Sequence, residues 1–326
     1  MSRACPGIET VRAAVGLAQR APSVHNSQPW RWRLVADTLH LYADATRHLA
    51  ATDPDQRALV LSCGAALHHL RVALSTLGWA AEVRHLPTPH RPDHLAAIRL
   101  TPHRPTGIDI GLTAAMLHRR SDRRRFSYGQ LPRRHTEAAA KYAARFGATV
   151  RHVPESARPQ LAKLIRIAAE RHADDALYQV ELATWSGRRG DCDGVPARNT
   201  APVRADDELP GRWFTNPALL DPAGGSDDAQ WSMICTAADD RRAQLRAGES
   251  LSALLLAATD LGLATCIQTE PLGIPDLREQ IRASICDGAY PQAMVRTGWV
   301  STGAAPLPET PRRSLEEVLA AAGVRR

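Results

Sequence analysis

The sequence predicts an α+β fold that is duplicated internally, and two observations support this prediction. Segments with apolar residues at helical spacings of three and four alternate along the 326 residues with short apolar segments typical of strands. In addition, a helical segment that begins at residue 64, with the strand-like segment behind it, is repeated from residue 248. We therefore expect residues 1–112 to form a first half and residues 113–326 to form a second, similar half.

Helical and strand-like patterns follow one another in the first half. Val11, Val15 and Ala18 share one face of a predicted helix over residues 8–20, and Pro22 ends it because proline has no N–H to donate. The later predictions are two short strands on either side of Asp37, a helix at 58–77, and strands at 80–86 and 94–102.

The second half has the same kinds of element around one long irregular stretch. Helices are predicted at 113–119, 136–145, 159–172 with a broken continuation to 185, 249–261, 275–285 and 311–323, and strands at 231–237, 264–269 and 292–300. Residues 186–228 carry several prolines and glycines and almost no periodicity. An irregular stretch of this length inside a compact chain is usually a functional lid or a mobile segment, so we expect a lid there.

The composition is typical of a soluble globular protein. Hydrophobic residues are 44% and charged residues 23% of the chain, no apolar run approaches the roughly 20 residues of a membrane helix, and MSRACPGIET lacks the apolar core of a signal peptide. We therefore expect a cytoplasmic protein with no membrane partner. The scattered cysteines form no CxxC pair and are expected to be free thiols in a reducing compartment. They are Cys5, Cys63, Cys192, Cys235, Cys266 and Cys286.

The charges and the histidines restrict the possible ligands. The formal net charge is +7 and nearly all cationic residues are arginine, which suits phosphate-bearing ligands. Most of these arginines are dispersed along the chain, so we expect no nucleic-acid partner. Among thirteen histidines, the closest to ligand spacing are His68 with His69 and His90 with His94. Prolines around the second pair argue against a helix that presents both rings, so we expect no metal site.

A polar loop between Pro22 and Pro29 is the first candidate binding element. The hydrogen-bonding side chains between these prolines are Ser23, His25, Asn26, Ser27 and Gln28. Such a loop, backed by the two tryptophans that follow it, can grip a flat ligand with polar edges. Alternatively, its side chains satisfy only the backbone of a helix–loop–strand connection.

The internal repeat has a constant offset of 184 residues. GAALHHLRVALSTLGWA, from residue 64, and GESLSALLLAATDLGLA, from residue 248, are identical at seven of seventeen positions. The identical pairs are Gly64/Gly248, Leu67/Leu251, Leu70/Leu254, Ala73/Ala257, Leu77/Leu261, Gly78/Gly262 and Ala80/Ala264. Two such helices are expected to pack against each other around a pseudo-twofold axis, as equivalent elements of two subunits do.

Several motifs together resemble those of the nitroreductase-like FMN flavoproteins. PSVHNSQPW is similar to the family's PSxxNxQPW loop, which lies against an FMN held mainly by the other subunit. RRSDRRRF resembles RxSxR/KxF, which holds the FMN phosphate and ribityl chain, although its phenylalanine comes one residue late. LGLATCIQT resembles the family's LGLGT segment, which lies at the flavin edge. PRRSLEEVL resembles the family's C-terminal segment, in which an arginine ahead of a short helix reaches the phosphate. Within the family, the chain most resembles the Acg-type proteins of actinobacteria.

The resemblance implies a set of FMN-binding residues. They are Pro22, Ser23, Asn26 and Gln28 in the loop, Arg119, Arg120, Ser121 and Arg123 at the phosphate, Thr265, Cys266 and Gln268 at the flavin edge, and Arg312, with Arg313 as its alternative. Arginine suits this task because its planar fork matches phosphate oxygens. The residues alone also allow a structural role for each motif. RRSDRRRF can be a solvated basic turn, the strand at 264–269 can be only part of the core, and Ser314 can be an ordinary helix N-cap.

The resemblance also implies a function. FMN would carry hydride from NAD(P)H to a small electron acceptor of the nitro or quinone type, so no catalytic side chain is expected. The first half keeps the polar loop and the second keeps the phosphate motif. One chain would then imitate the family's dimer with a single flavin site, as a monomer or as a homodimer of such monomers. A lid over the flavin implies the alternative of an FMN-sequestering protein with little or no reductase activity.

Overall fold

The first half of the chain forms an antiparallel sheet with helices packed against it. The computed structural model describes residues 6–127, 129–188, 192–204, 206–222 and 225–320. The elements of the first half are α1 (Ile8–Ala18), β1 (Trp30–Val35), β2 (Thr38–Ala43), α2 (Arg57–Thr76), β3 (Trp79–His85), β4 (His94–Pro102) and α3 (Gly107–His118). Each was predicted from the sequence. Helix α3 begins before residue 113, its predicted start, because Thr106 and Asp109 form a reciprocal capping box.

The second half also combines a sheet with helices, and it contains more irregular structure. Its elements are β5 (Phe126–Ser127), α4 (Arg133–Ala144), β6 (Thr149–His152), α5 (Arg158–Asp174), α6 (Ala176–Trp185), β7 (Ser186–Arg188), β8 (Val195–Pro196), β9 (Gln230–Thr236), α7 (Arg241–Asp260), β10 (Ala264–Gln268), α8 (Pro275–Ser284), β11 (Tyr290–Val300), α9 (Leu315–Val318) and β12 (Leu319–Ala320). Helix α7 begins before residue 249 because Asp240 caps it by accepting from the N–H of Ala243. Its first turns are rich in arginine, so apolar periodicity does not reveal them.

The two main sheets have the same pattern of strand connections. The strand order is β12-β1-β2-β4-β3 in the first sheet and β10-β11-β9-β6 in the second. In each sheet a twenty-residue helix, α2 or α7, leads into an edge strand, β3 or β10. That edge strand pairs antiparallel with the strand that follows it in the main sheet: β3 pairs with β4, and β10 pairs with β11. The following strand pairs on its other side with the strand that precedes the helix, so that β4 pairs with β2 and β11 pairs with β9.

Helices α2 and α7 touch through two glycines at the centre of the molecule. A Cβ atom on Gly64 would lie 2.0 Å from the carbonyl oxygen of Leu245, and one on Gly248 would lie 2.0 Å from that of Leu61. Both glycines and both leucines are related by the offset of 184 residues, so the contact is the same when seen from either helix. Only glycine allows two backbones to approach this closely.

Helix α2 is a core helix despite its composition. Among the described residues it is the one helix that is long and apolar enough to span a membrane, which corrects the expectation that no segment reaches that length. However, 83% of its most apolar window is buried inside the protein, against α1, α3 and α7. This burial is typical of the central helix of a globular core.

The C-terminal segment differs from its prediction. The helix expected over 311–323 is the single turn α9, capped reciprocally by Ser314 and Glu317, and residues beyond 320 lie outside the described part of the chain. The chain then continues as β12, in which Leu319 pairs in parallel with Trp32 of β1. This pairing protects the open edge of the first sheet and ties the end of the second half to the first half.

Candidate functional site

A large cavity lies where the loop after α1, one face of α2, the segment after α3 and the end of β10 meet. Its walls also include Arg296 from β11, Arg312, and several residues of the predicted lid, among them Asn199, Arg212 and Phe214. The empty space, including the open mouth, is about 1480 Å³.

Most of the residues predicted to bind a ligand line this cavity. They are Pro22, Ser23, Asn26, Arg119, Arg120, Ser121, Arg123, Cys266, Gln268 and Arg312. Four segments that are far apart in sequence therefore meet in one place. The thiol of Cys266 is buried, which raises its pKa, so it is not activated as a nucleophile.

The other three predicted residues, Gln28, Thr265 and Arg313, support the walls from behind. The buried side-chain amide of Gln28 donates to the carbonyl oxygens of Asn26 (3.2 Å) and Cys192 (2.9 Å), and its oxygen accepts from the N–H of Arg313 (2.9 Å). Arg313 donates to the carbonyl oxygen of Gln28 at 3.2 Å. The carbonyl oxygen of Thr265 accepts from the N–H of residue 122 at 2.9 Å and so holds the arginine-rich segment against β10.

The loop after α1 has an unusual backbone that is held by many bonds. His25, Asn26 and Gln28 have φ values of 45°, 55° and 50°, in the left-handed region that non-glycine residues rarely adopt. Ser23 Oγ accepts from the N–H of Gln28 at 2.9 Å. Asn26 Nδ2 donates to the carbonyl oxygens of residues 194 (3.1 Å) and 311 (3.0 Å), and its Oδ1 accepts from Arg312 at 2.8 Å. The loop is therefore bonded both to the predicted lid and to the C-terminal segment.

A cluster of arginines on one wall of the cavity lacks sufficient negative charge. Arg119 is 5% exposed, and its Nε and Nη1 atoms have no hydrogen-bond partner among the described residues. Burial lowers the pKa of Arg119 to about 10, and burial together with neighbouring arginines lowers the pKa of Arg312 to about 9. The exposed Glu309 accepts from Arg120 (2.9 Å) and Arg20 (3.3 Å). Buried cations with free donors provide a site for an anionic group such as a phosphate.

The arginine-rich segment also holds the predicted lid. Arg123 donates to the carbonyl oxygen of Asn199 at 3.0 Å, and its guanidinium lies 4.8 Å from the ring centre of Phe214. Arg125 donates to the carboxylates of Asp206 (2.6 Å) and Asp207 (2.7 Å). The described parts of the 186–228 stretch are therefore folded over the cavity.

A second group of lid contacts reaches the polar loop. Arg212 donates to Nε2 of His25, and its Nε lies 3.8 Å from a carboxylate oxygen of Glu270. Burial lowers the pKa of His25 well below its ordinary value, and the nearby Arg212 and Arg123 lower it further. The His25 ring is therefore neutral.

Sequence reasoning missed several residues of the walls. They are Asn199, Arg212, Phe214 and Arg296. The first three lie in the irregular stretch, whose lack of periodicity was the only signal. Arg296 lies in a predicted strand, and nothing in its neighbours marks it. It forms an ion pair with Asp227 and donates to the carbonyl oxygen of Arg124 at 3.2 Å.

Solved structures that match part of this chain include nitroreductases. A nitroreductase with bound FMN from Bacteroides fragilis has 14% sequence identity, covers 62% of this chain and 94% of its own, and gives a TM-score of 0.39. The FMN-dependent nitroreductase NfnB from Mycobacterium smegmatis in complex with NADPH has 18% identity, covers 66% of this chain and 100% of its own, and gives a TM-score of 0.42.

Protein sequences give a much stronger match. The model of the Nitroreductase family matches residues 116–299. "Putative NAD(P)H nitroreductase Rv3131" from Mycobacterium tuberculosis is 45% identical over 96% of this chain and 92% of its own length. "Putative NAD(P)H nitroreductase acg" from the same organism is 37% identical over 95% of both chains. Identity at this level over nearly the whole length shows that the chain belongs to the nitroreductase family.

Proposed function

We propose that the cavity binds one FMN and that the chain uses NAD(P)H to reduce small nitro- or quinone-type compounds. The names of its relatives describe NAD(P)H nitroreductases, and the motifs that suggested FMN all border this cavity. Arg119, Arg120 and Arg312 would hold the phosphate. Residues 22–26 and 266–268 would lie along the flavin ring.

The arginine cluster is the observation that carries this proposal. Arg119 and Arg312 are buried cations whose Nε atoms have no partner among the described residues. Keeping such charges out of water is costly unless an anion compensates them. A phosphate offers several oxygens to the free donors, and the uncharged Ser121 beside them adds a hydroxyl. The donor set therefore fits a phosphate monoester.

The chain's own residues would bind and orient the reactants. FMN, when bound, supplies the redox chemistry, so the protein needs to place the ring and to exclude water. Phe214 and Arg212 line the cavity from the lid side, and Leu61 and Ala65 line it from α2. No side-chain acid or base is assigned to the reaction.

We also propose that the chain is a fused pair of family subunits in which only one of two equivalent sites survives. The support comes from the positions related to the cavity by the offset of 184 residues. Ala65 of the cavity corresponds to Glu249, which is buried between Arg71 (2.9 Å) and His85 (2.7 Å). Ser62 corresponds to Arg246, whose side chain fills the space beside residue 147. Two bulky side chains, one of them in a buried ion pair, thus stand where the second site would need open space.

A second candidate function is sequestration of FMN, and the closed lid favours it. Phe214 packs beside both Arg123 and His25, the latter at 5.9 Å between ring centres. A lid held in this way would keep NAD(P)H from reaching the flavin. We expect Phe214→Ala to speed anaerobic bleaching of the flavin by NADPH if the lid limits access. Trp213→Ala is the matched control, because this neighbouring aromatic is 63% exposed.

Flavin content and reducibility test the proposed function. We expect the purified protein to release FMN on denaturation, at one FMN per chain. Anaerobic NADPH should bleach the bound flavin, and a nitroaromatic should restore its colour. A protein that binds no FMN on reconstitution would refute the assignment of the cavity. Two FMN per chain would refute the loss of the second site, and an FMN that NADPH cannot bleach even in Phe214→Ala would leave sequestration as the function.

A further inference from the structure

His25, on the wall of the cavity, has one ring nitrogen with a partner and one without. Nε2 accepts a hydrogen bond from Nη1 of Arg212. Nδ1 is buried and has no hydrogen-bond partner among the described residues. A guanidinium can only donate, so Nε2 must be the unprotonated nitrogen and Nδ1 must carry the single proton of a neutral ring. The structure therefore specifies one tautomer of His25.

Arg212 is itself held by a second buried group. Its Nε lies 3.8 Å from Oε1 of Glu270, and the same oxygen is 3.0 Å from Nδ1 of His172 and 3.4 Å from the hydroxyl of Tyr178. The rings of His172 and Tyr178 are stacked at 3.8 Å between centres, with an interplanar angle of 2°. This network restricts the position of Arg212 and, through it, the orientation of the His25 ring.

The backbone at His25 supports a functional role for its free N–H group. Its φ of 45° is costly for a residue other than glycine, yet the hydrogen bonds of Asn26 maintain it. A buried donor without an acceptor adds a further free-energy cost. Strained backbone and an unsatisfied donor at one residue on a cavity wall are typical of a position that completes its bonding with a ligand.

We propose that His25 is a fixed, uncharged hydrogen-bond donor to a conjugated carbonyl or nitro oxygen of a ligand in this cavity, and that Arg212 and Glu270 are positioning residues that select its Nδ1–H tautomer. The identity of the ligand rests on the proposed function. The oxygen can come from a carbonyl of the flavin ring or from the electron-accepting substrate. A neutral donor suits either oxygen and adds no charge to a cavity already rich in arginine.

Two variants of His25 separate the donor from the side chain's other roles. His25→Ala removes the donor, whereas His25→Asn places an amide N–H near the position of Nδ1. Asparagine also tolerates the left-handed backbone better than most residues. Each variant is measured for its Kd for FMN, by quenching of flavin fluorescence, and, as the FMN-loaded protein, for its Kd for 1,4-naphthoquinone. Thermal unfolding verifies that each variant is folded.

We expect His25→Ala to raise one of these two Kd values about tenfold. Both Kd values of His25→Asn should stay within about threefold of those of the wild type. The affected Kd identifies whether flavin or substrate provides the oxygen. A folded His25→Ala variant with both Kd values changed less than twofold would overturn the proposal. So would a His25→Asn variant that is as weak as His25→Ala, because a donor at this position would then be insufficient.

The tautomer is tested separately on the ligand-free protein. Nitrogen-15 NMR distinguishes Nδ1–H, Nε2–H and doubly protonated rings, and the signal of His25 is the one missing from His25→Asn. We expect the Nδ1–H tautomer in the wild type and loss of this preference in Arg212→Ala. A protonated ring or the Nε2–H tautomer in the wild type would overturn the proposal. This measurement needs no flavin, so its outcome is independent of whether the cavity binds FMN.

Discussion

Replacing Arg119 by methionine should stabilise the flavin-free protein and weaken its binding of FMN. Arg119 is almost fully buried, and its Nε and Nη1 atoms have no partner among the described residues. Its charge therefore opposes folding until a phosphate compensates it. Methionine has a similar length and carries no charge, so it can fill the same space.

The pKa of Arg119 sets the size of the effect. Burial lowers this pKa from 12.5 to about 10, which at 1.36 kcal/mol per pKa unit corresponds to about 3 kcal/mol. Because the folded-state pKa is the lower one, the cost is fully present at neutral pH, where arginine is charged in both states. Loss of the hydrogen bond from Nη2 to the carbonyl oxygen of Arg20 (3.3 Å) removes about 1 kcal/mol of the gain.

The assay compares ligand-free stability with FMN affinity. We expect the free energy of unfolding of Arg119→Met, from urea titration, to rise by about 2 kcal/mol, and the Kd for FMN to rise about 10- to 100-fold through loss of a charged hydrogen bond. Arg133→Met is the matched control, because the Arg133 side chain is 92% exposed and pairs only at the surface with Glu137. Lower stability of Arg119→Met together with an unchanged Kd would refute the assignment of Arg119 to the phosphate.

Three further predictions concern the helix contact, the buried histidines and the lid. In urea unfolding, Gly64→Ala should destabilise the protein by about 3 kcal/mol or more, because the new Cβ would lie 2.0 Å from a backbone oxygen. The control Gly16→Ala has open space around it and should stabilise the protein by about 0.5–1 kcal/mol. Equal effects would contradict the close contact. Burial lowers the pKa of His68 to about 3, so its neutral form stabilises the fold above pH 6.5. The free energy of unfolding should therefore fall by about 2 kcal/mol when the pH is lowered from 6.5 to 5. This fall should be smaller in His68→Asn, whereas the exposed control His90→Asn should show the same fall as the wild type. Arg125→Ala should speed trypsin cleavage within the 186–228 stretch, because this side chain donates to two aspartates and a carbonyl oxygen there. An unchanged cleavage rate would show that other contacts hold the lid.

Local sequence patterns predicted the longer helices and most strands of the two main sheets, but not β6 or the two- and three-residue strands. Helix α2 was predicted within one residue at each end because its apolar side chains recur at helical spacing along its whole length. The starts of α3 and α7 were missed because their first turns are set by the capping residues Thr106 and Asp240. The C-terminal helix was predicted too long, since pairing of β12 with β1 competes with the helical pattern of LEEVLAAAG.

The candidate site was predicted in part, and the division has a physical reason. The motifs predicted Arg119, Arg123 and Arg312, which all line the cavity, because arginines at such short spacing suit a phosphate group. Arg212 and Arg296 approach the same cavity from an irregular segment and from a strand, and only the folded chain brings them there. The order of the segments along the chain does not reveal which hydrogen-bond donors of these arginines lack a partner in the folded protein.

The sequence by itself indicated the family, which the comparisons confirm, and it predicted the segments that meet at the cavity. These depend on periodicity, on glycines at a fixed offset and on short motifs, all of which are local in the chain. The tertiary structure decided which predicted residues face the cavity, and it placed Gln28, Thr265 and Arg313 behind the wall. It also decided the protonation of His25 and the burial of unpaired arginine charge, because both depend on neighbours that are distant in sequence and meet only in the fold.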